Sequence, residues 1–151
     1  MAVVNAVLHA TLPPRWRPFS APELVIVARP PVDRHRFSAT LLIARDEVPA
    51  GVTMRDVLDA TAPHLETLGD DTEVLGERCV REDAHERVGR LVSFAVRGVC
   101  DRVAQLQCFV APVRCDGERR PVAQFVGTCA FDELGLLGPV FARVARSIHF
   151  V

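Results

Sequence analysis

The chain has 151 residues, of which 49% are hydrophobic and 25% charged, and its net charge is −1. This length predicts one domain, spanning residues 1–151, that can bury a core without disulfides or metals. Charges of both signs are interspersed without a basic stripe, so neither nucleic acid nor an anionic membrane is expected as a partner.

All 18 basic residues are arginines, which excludes chemistry that needs a Schiff-base or phosphate-loop lysine. The five cysteines show no CxxC spacing, and this is typical of free, buried thiols in a reducing compartment. The first residues lack the basic start of a signal peptide, and no apolar run reaches transmembrane length. We therefore expect a cytoplasmic protein without membrane insertion.

The N-terminal third contains short β-prone runs that are separated by prolines. These runs predict three strands, at residues 3–12, 24–28 and 37–44. A proline-rich loop is expected over residues 13–18, because proline fixes φ and removes a backbone donor.

A helix is predicted from Thr53, with Asp56 three residues later to complete a capping box. Apolar residues recur at helical spacing as far as Leu68 and form one stripe. Pro63 lies within this stretch and is expected to end the regular part of the helix early.

The second half predicts a meander of strands followed by a helix. The four strands are expected at residues 72–81, 88–97, 103–113 and 121–131. Asp132 is expected to cap the last helix, and Pro139 to lie in the first turn of its main body. Phe141, Val144 and Ile148 are spaced to form its buried stripe.

The order of these features resembles a known family. An early strand runs into the sequence Leu12-Pro13-Pro14-Arg15-Trp16, a Gly89-Arg90-Leu91 strand precedes a glutamine-bearing strand, and the chain closes on Ser147-Ile148 after a helix. This resembles the PsbP/DcrB-like fold and, within it, the actinobacterial LpqN-type lipoproteins. LpqN-type members carry a signal peptide and a lipobox cysteine, whereas the first cysteine here is Cys79, so lipid anchoring is not implied.

The resemblance implies an α+β fold in which an antiparallel sheet of six to seven strands is flanked by two helices, an αβα sandwich. It also implies a function in binding, as an accessory subunit, an adaptor or a chaperone for secreted effectors.

The dipeptide Asp116-Gly117 between two apolar runs is a hairpin signal. If Arg114 pairs with Arg119 across it, the register of the hairpin is fixed. The resulting pairs are Gln105 with Thr128, Gln107 with Val126, and Phe109 with Gln124.

One face of this hairpin then carries a row of polar side chains. If Val92 and Phe94 join the opposite, apolar face, Ser93 and Arg97 also fall on the glutamine face. The predicted binding site consists of Gln105, Gln107, Gln124, Thr128, Ser93 and Arg97. Glutamine both donates and accepts hydrogen bonds, so such a row can satisfy the backbone of a docked peptide. The alternative is an ordinary solvated or half-covered sheet face.

Three functions are weighed. The first is a non-enzymatic protein- or peptide-binding adaptor or chaperone-like domain that uses the glutamine face; its partner is unidentified, and a homo-oligomer is left open. The second is a carrier of a small apolar ligand, with a pocket between sheet and helix. The third is an unrecognised hydrolase or metal-dependent enzyme.

The enzyme hypothesis would need groups from Cys79 with His85, or from the acidic stretch at residues 82–86. Neither shows the spacing of a metal site or of a nucleophile with its orienting partners. We therefore expect a solvated hairpin loop at residues 82–86, and no catalytic residue, metal or cofactor.

Overall fold

The computed structural model describes residues 7–18, 26–29, 39–98 and 100–151. Its strands are β1 (Leu8–His9), β2 (Arg17–Pro18), β3 (Ile26–Arg29), β4 (Thr40–Pro49), β5 (Asp70–Arg81), β6 (His85–Val96), β7 (Cys100–Pro112), β8 (Arg119–Ala130) and β9 (His149–Phe150). Its α-helices are α1 (Met54–Thr61) and α2 (Leu134–Ser147), with short 3₁₀ helices at Ala62–Thr67 and Phe131–Glu133.

Seven strands form one antiparallel sheet in the order β2-β3-β4-β8-β7-β6-β5. β1 and β9 pair with each other in a separate two-stranded sheet. The chain therefore has the α+β architecture expected from the sequence, and β5 forms one edge of the sheet.

The two helices cover opposite faces of the sheet. We call these the α1 face and the α2 face. On the α2 face, Phe141 and Val144 pack on residues of β4, β7 and β8, with Phe125 at the centre. On the α1 face, Met54 and Leu58 pack on Val88 and neighbours from β7 and β8, and the 3₁₀ helix covers a third cluster.

The start and end of α1 confirm the predictions made from local sequence. The Thr53 hydroxyl accepts a hydrogen bond from Asp56 N–H at 3.0 Å, and Thr53 N–H donates to the Asp56 carboxylate at 3.1 Å. The α-helix ends at Thr61, and the segment that contains Pro63 continues as a 3₁₀ helix. Proline cannot donate the hydrogen bond that would have continued the α-helix.

The start of α2 differs from the prediction. The 3₁₀ helix at Phe131–Glu133 leads directly into α2, which begins at Leu134, so Pro139 lies inside the helix. Asp132 does not cap either segment through its side chain. It lies in the first turn of the 3₁₀ helix, where the positive end of the helix dipole stabilises a negative charge. The buried stripe of Phe141, Val144 and Ile148 is confirmed.

Several N-terminal predictions differ in extent. Within residues 3–12 the described strand is Leu8–His9, and residues 3–6 lie outside the described residues. The predicted strands at 24–28 and 37–44 correspond to β3 and β4, and residues 24–25 and 37–38 of these predictions lie outside the described residues. The sequence did not predict β2 or β9, which are two residues long and carry no pattern of their own.

The cysteines only partly match the expectation of buried thiols. Cys108 and Cys129 are buried, and burial raises the pKa of these thiols to about 12 and about 11. Cys79 is exposed and Cys115 is half-buried, because β5 is a sheet edge and the Asp116-Gly117 turn projects into solvent. The side chain of Cys100 is not among the described ones.

His85 is buried, so the expected solvated loop at residues 82–86 is wrong at this position. Its Nε2 accepts a hydrogen bond from Phe150 N–H at 2.9 Å, and its ring stacks on Phe150. This contact ties β9 to the start of β6. Burial, and then the positive charges of Arg87 and His149, lower the pKa of His85, while Glu82 raises it.

A pH dependence of stability follows from this buried histidine. Because its pKa is lower in the folded chain, the unfolded chain takes up the proton first as the pH falls. The contribution of His85 to the free energy of unfolding should be complete above about pH 6.5, the usual histidine pKa. It should decrease as the pH falls towards and through the lower pKa that His85 has in the folded chain. Urea unfolding is measured at about pH 7.5 and about pH 5. The free energy of unfolding should fall less between these two pH values for His85→Gln than for the wild type. Equal losses would contradict the assignment.

Candidate functional site

The register of the β7–β8 hairpin is the one that the sequence predicts. Gln105 pairs with Thr128, Gln107 with Val126, and Phe109 with Gln124. Alternation along each strand therefore places the three glutamines and Thr128 together on the α1 face.

Ser93 and Arg97 do not join them. Ser93 pairs with Ala104, which puts it on the α2 face, where it is buried and accepts a hydrogen bond from Arg102. Val92 pairs with Gln105 instead, so Val92 lies on the glutamine face. The prediction assumed one apolar face, whereas helices cover both faces and each has its own core. Arg97 follows β6 in a turn, with its side chain 95% exposed.

The structure adds a residue that the predicted site omitted. Arg90 of β6 is 2% exposed and lies on the α1 face, where it pairs with Gln107 at one end of the polar row. Its guanidinium donates twice to Gln107 Oε1, at 2.8 and 3.3 Å. It also donates to Leu58 O and to Thr61 Oγ1. The sequence carries a signal for this residue, because Arg90 is in phase with the apolar residues Val88 and Val92.

A chain of hydrogen bonds runs from Arg90 across the sheet. Gln107 Nε2 donates to Gln105 Oε1 at 2.6 Å, and Gln105 Nε2 donates to Thr128 Oγ1 at 3.1 Å. Since Arg90 fixes the orientation of the first amide, it fixes the second as well. Two of the three glutamines therefore use their side chains largely within the protein.

Arg90 and Glu86 hold the two ends of α1. Glu86 Oε1 accepts from Met54 N–H at 2.9 Å at the helix start, and Arg90 Nη1 donates to Leu58 O in the last turn. The four-residue separation on β6 spans about 13 Å, which matches the roughly 12 Å length of an eight-residue helix. Each charge also has the sign that the helix dipole favours at its end. Both ends of α1 are therefore fixed to β6, on the face of the sheet that carries the glutamines.

A pocket lies between the glutamines and the 3₁₀ helix that follows α1. Its volume is about 350 Å³. The helical side is formed by Thr61, His64, Leu65 and Leu68, and the sheet side by Gln105, Gln107, Phe109, Gln124 and Val126. The pocket thus combines apolar walls with amide groups, a combination that suits an amphipathic group of a ligand.

Gln124 is the glutamine that remains available. Its side chain is half-buried, lines the pocket, and makes no hydrogen bond with any residue that the structure describes. Beside it, the α1 face of β4 and β8 is also half-buried. This strip consists of Thr40, Leu42, Ala44, Val126 and Thr128. The pocket therefore lies next to an accessible stretch of sheet.

The groups considered for enzyme chemistry are not brought together. The Nε2 atom of His85 accepts from the backbone of Phe150, and Cys79 is exposed on β5. Within residues 7–18, 26–29, 39–98 and 100–151, no three His, Cys, Asp or Glu side chains are grouped so that they could hold a metal ion. None of the described helices is long and apolar enough to cross a bilayer.

Comparison with known proteins relates this chain to others by its fold. No protein-family model and no curated protein matches its sequence. Among solved structures, it is similar to LpqN of Mycobacterium tuberculosis, described as involved in cell envelope biogenesis. The two share 12% identity over 97% of this chain and 84% of LpqN, with a TM-score of 0.71.

Two further structures show the same likeness. The cyanobacterial PsbP (CyanoP) of Synechocystis sp. PCC 6803 is 19% identical over 100% of this chain and 96% of that protein, with a TM-score of 0.62. PA94 of Pseudomonas aeruginosa, a protein of unknown function, is 12% identical over 85% and 92%, with a TM-score of 0.54. At these identities the likeness concerns the fold, and the chain has the PsbP/LpqN-like fold that its sequence features predict.

Proposed function

We propose that this protein is a non-enzymatic peptide-binding domain, and that the pocket beside Gln124 holds an anchoring side chain of the peptide. The observation that carries the proposal is the side-chain amide of Gln124. It is half-buried in a pocket with apolar walls and makes no hydrogen bond with any residue that the structure describes. The cytoplasmic location of the protein and its binding to a partner protein of unknown identity remain predictions from the sequence.

The arrangement favours a peptide because the pocket and the neighbouring strip offer different contacts. Leu65, Leu68 and Val126 can surround an apolar side chain, while Gln124 can donate to and accept from one peptide unit. The strip on β4 and β8 offers a surface along which the rest of an extended segment can lie. Gln105 and Gln107, held by Arg90, keep this wall of the pocket in one conformation, and preorganisation of this kind lowers the entropic cost of binding.

A display selection with a random peptide library provides the test. Peptides recovered with the wild-type protein are synthesised, and their dissociation constants are measured by fluorescence anisotropy. Gln124→Trp should fill the pocket and weaken binding by at least about tenfold. The matched control is Ala142→Trp, a half-buried position on the opposite face of the sheet, which should leave this binding unchanged.

Two results would contradict the proposal. One is a selection that yields no peptide above the background of the library. The other is a set of peptides whose affinity is the same for Gln124→Trp and for the wild type. Equal urea unfolding curves for both variants establish that any loss of binding is local.

A second function, a carrier of a small apolar ligand, is favoured by the size of the same pocket. A volume of about 350 Å³ lies within the range of small-molecule sites. N-phenyl-1-naphthylamine, an uncharged fluorescent probe, distinguishes the two functions. Saturable fluorescence that Gln124→Trp abolishes, together with a failed peptide selection, would favour the carrier.

A further inference from the structure

The α2 face of the sheet is only half covered by its helix. Phe141 of α2 lies directly over Gly127 of β8, and the helix packs on β4, β8 and β7. Beside it, between α2 and the edge strand β5, runs a groove of about 460 Å³. Its floor includes Leu91 and Leu106, and Ala142 and Arg146 of α2 form one side.

The spacing of this groove matches that of a second helix. β6 lies two strands away from β8, a distance of about 10 Å. Helices that pack side by side are about 8–10 Å apart. A helix laid over β5 and β6 would therefore contact α2 on one side and complete the helical layer on this face.

Two glycines lower the sheet surface where that helix would lie. Gly76 on β5 pairs with Leu91, and Gly89 on β6 pairs with Arg78, so both glycines face the groove. A Cβ atom at Gly76 would meet no atom within 4 Å, whereas one at Gly89 would meet Cys108 Sγ at 3.2 Å. Glycine within a strand often marks a place where another backbone approaches closely.

The charges around the groove select the kind of helix. Arg78 and Arg146 are exposed and have no ion pair or hydrogen bond with any residue that the structure describes. Arg87 donates to Ala145 O, and its Nε lies 3.7 Å from a carboxylate oxygen of Glu82, so the charges of these two groove residues offset each other. Glu77 also borders the groove, but its carboxylate binds Arg55 of α1 at 3.0 Å. The groove is therefore positively charged overall.

From this spacing, these glycines and this charge, we propose that the groove between α2 and β5 binds an amphipathic helix of a partner protein. The apolar stripe of the helix lies on Leu91 and Leu106, and acidic residues beside the stripe pair with Arg78 and Arg146. This site is distinct from the glutamine pocket and lies on the opposite face of the sheet.

The test uses a display library of amphipathic helices of about 18 residues, or five turns. The apolar stripe is fixed, and each of the remaining positions is randomised between Glu and Lys. Selection with the wild-type protein should enrich Glu beside the stripe. The reverse peptide, with Lys at those positions, should bind at least about tenfold more weakly. Amide chemical shifts should change at Gly76, Gly89 and Ala142.

Gly76→Trp fills the groove and should weaken binding of the selected peptide by at least about tenfold. The matched control is Gly51→Trp, an exposed glycine in the turn before α1 with equally free space around its Cα, and it should bind like the wild type. Gln124→Trp should also bind normally, which separates this site from the proposed peptide pocket.

Three outcomes would overturn the proposal. They are a selection without preference for Glu, an unchanged affinity in Gly76→Trp, and shift changes confined to the glutamine pocket. Light scattering adds a fourth: if Gly76→Trp converts a wild-type dimer to a monomer, a second copy of the chain occupies the groove instead.

Discussion

Arg90→Met is expected to lower the free energy of unfolding by about 2–4 kcal/mol. The arginine is 2% exposed and supplies hydrogen bonds to Gln107, Leu58 and Thr61. Methionine retains much of the apolar volume but leaves Gln107 Oε1 without its donor. Leu58 O also loses the bond from Arg90 and keeps the one from the Thr61 hydroxyl. Each buried acceptor without a partner costs about 1–3 kcal/mol, and the relief from burying a charge offsets part of this sum. Urea unfolding, followed by the fluorescence of Trp16, measures the change.

The double variant Arg90→Met/Gln107→Leu provides the control. When both partners of a buried hydrogen bond become apolar, much of the cost disappears. The double variant should therefore lose less stability than the sum of the single variants, with a coupling of about 1–3 kcal/mol. A loss below about 1 kcal/mol in Arg90→Met would show that the guanidinium does not stabilise the α1 layer.

Gly127→Ala is expected to cost about 3 kcal/mol, although it adds one methyl group. A Cβ atom at Gly127 would lie 2.6 Å from Phe141 Cγ and within 3 Å of two further ring atoms. The ring is 1% exposed and packs edge-on against Phe125 and Trp16, so it has little room to move. α2 would have to shift away from the sheet. Thermal or urea unfolding measures the loss.

Two variants complete this test. Gly51→Ala adds the same methyl group where no atom lies within 4 Å of it, and it should change stability by less than about 0.5 kcal/mol. Gly127→Ala/Phe141→Leu makes room for the methyl group, so its stability should exceed the value expected by adding the two single losses. Purely additive losses would mean that the contact between Gly127 and Phe141 does not set the position of α2.

The two binding proposals also depend on these positions. Arg90 fixes the amides that form one wall of the glutamine pocket, and the seat of Phe141 on Gly127 fixes the distance of α2 from the groove. Variants at either residue are therefore unsuitable for testing binding. Gly76 and Gly51 are suitable because no atom lies within 4 Å of an added Cβ. Gln124 and Ala142 are suitable because the side chain of each lines a cavity.

The part of the structure that the sequence determined by itself rests on interactions between residues close in the chain. Thr53 and Asp56 specify the start of α1, and Pro63 ends its regular part, because each acts within one helical turn. The Asp116-Gly117 turn likewise fixes the register of β7 and β8, and with it the alignment of the glutamines. A local signal was sufficient in each case.

Only the tertiary structure decided which residues share a face with the glutamines and which groups remain free. The side on which Ser93 lies depends on whether one or both faces of the sheet carry a core, and strand periodicity alone does not contain that information. Arg90 could be recognised as a charge at an apolar position, but its acceptors come from α1 and β7. The groove beside α2 exists because one helix is too narrow to cover the whole sheet, and helix width and strand count meet only in the folded chain.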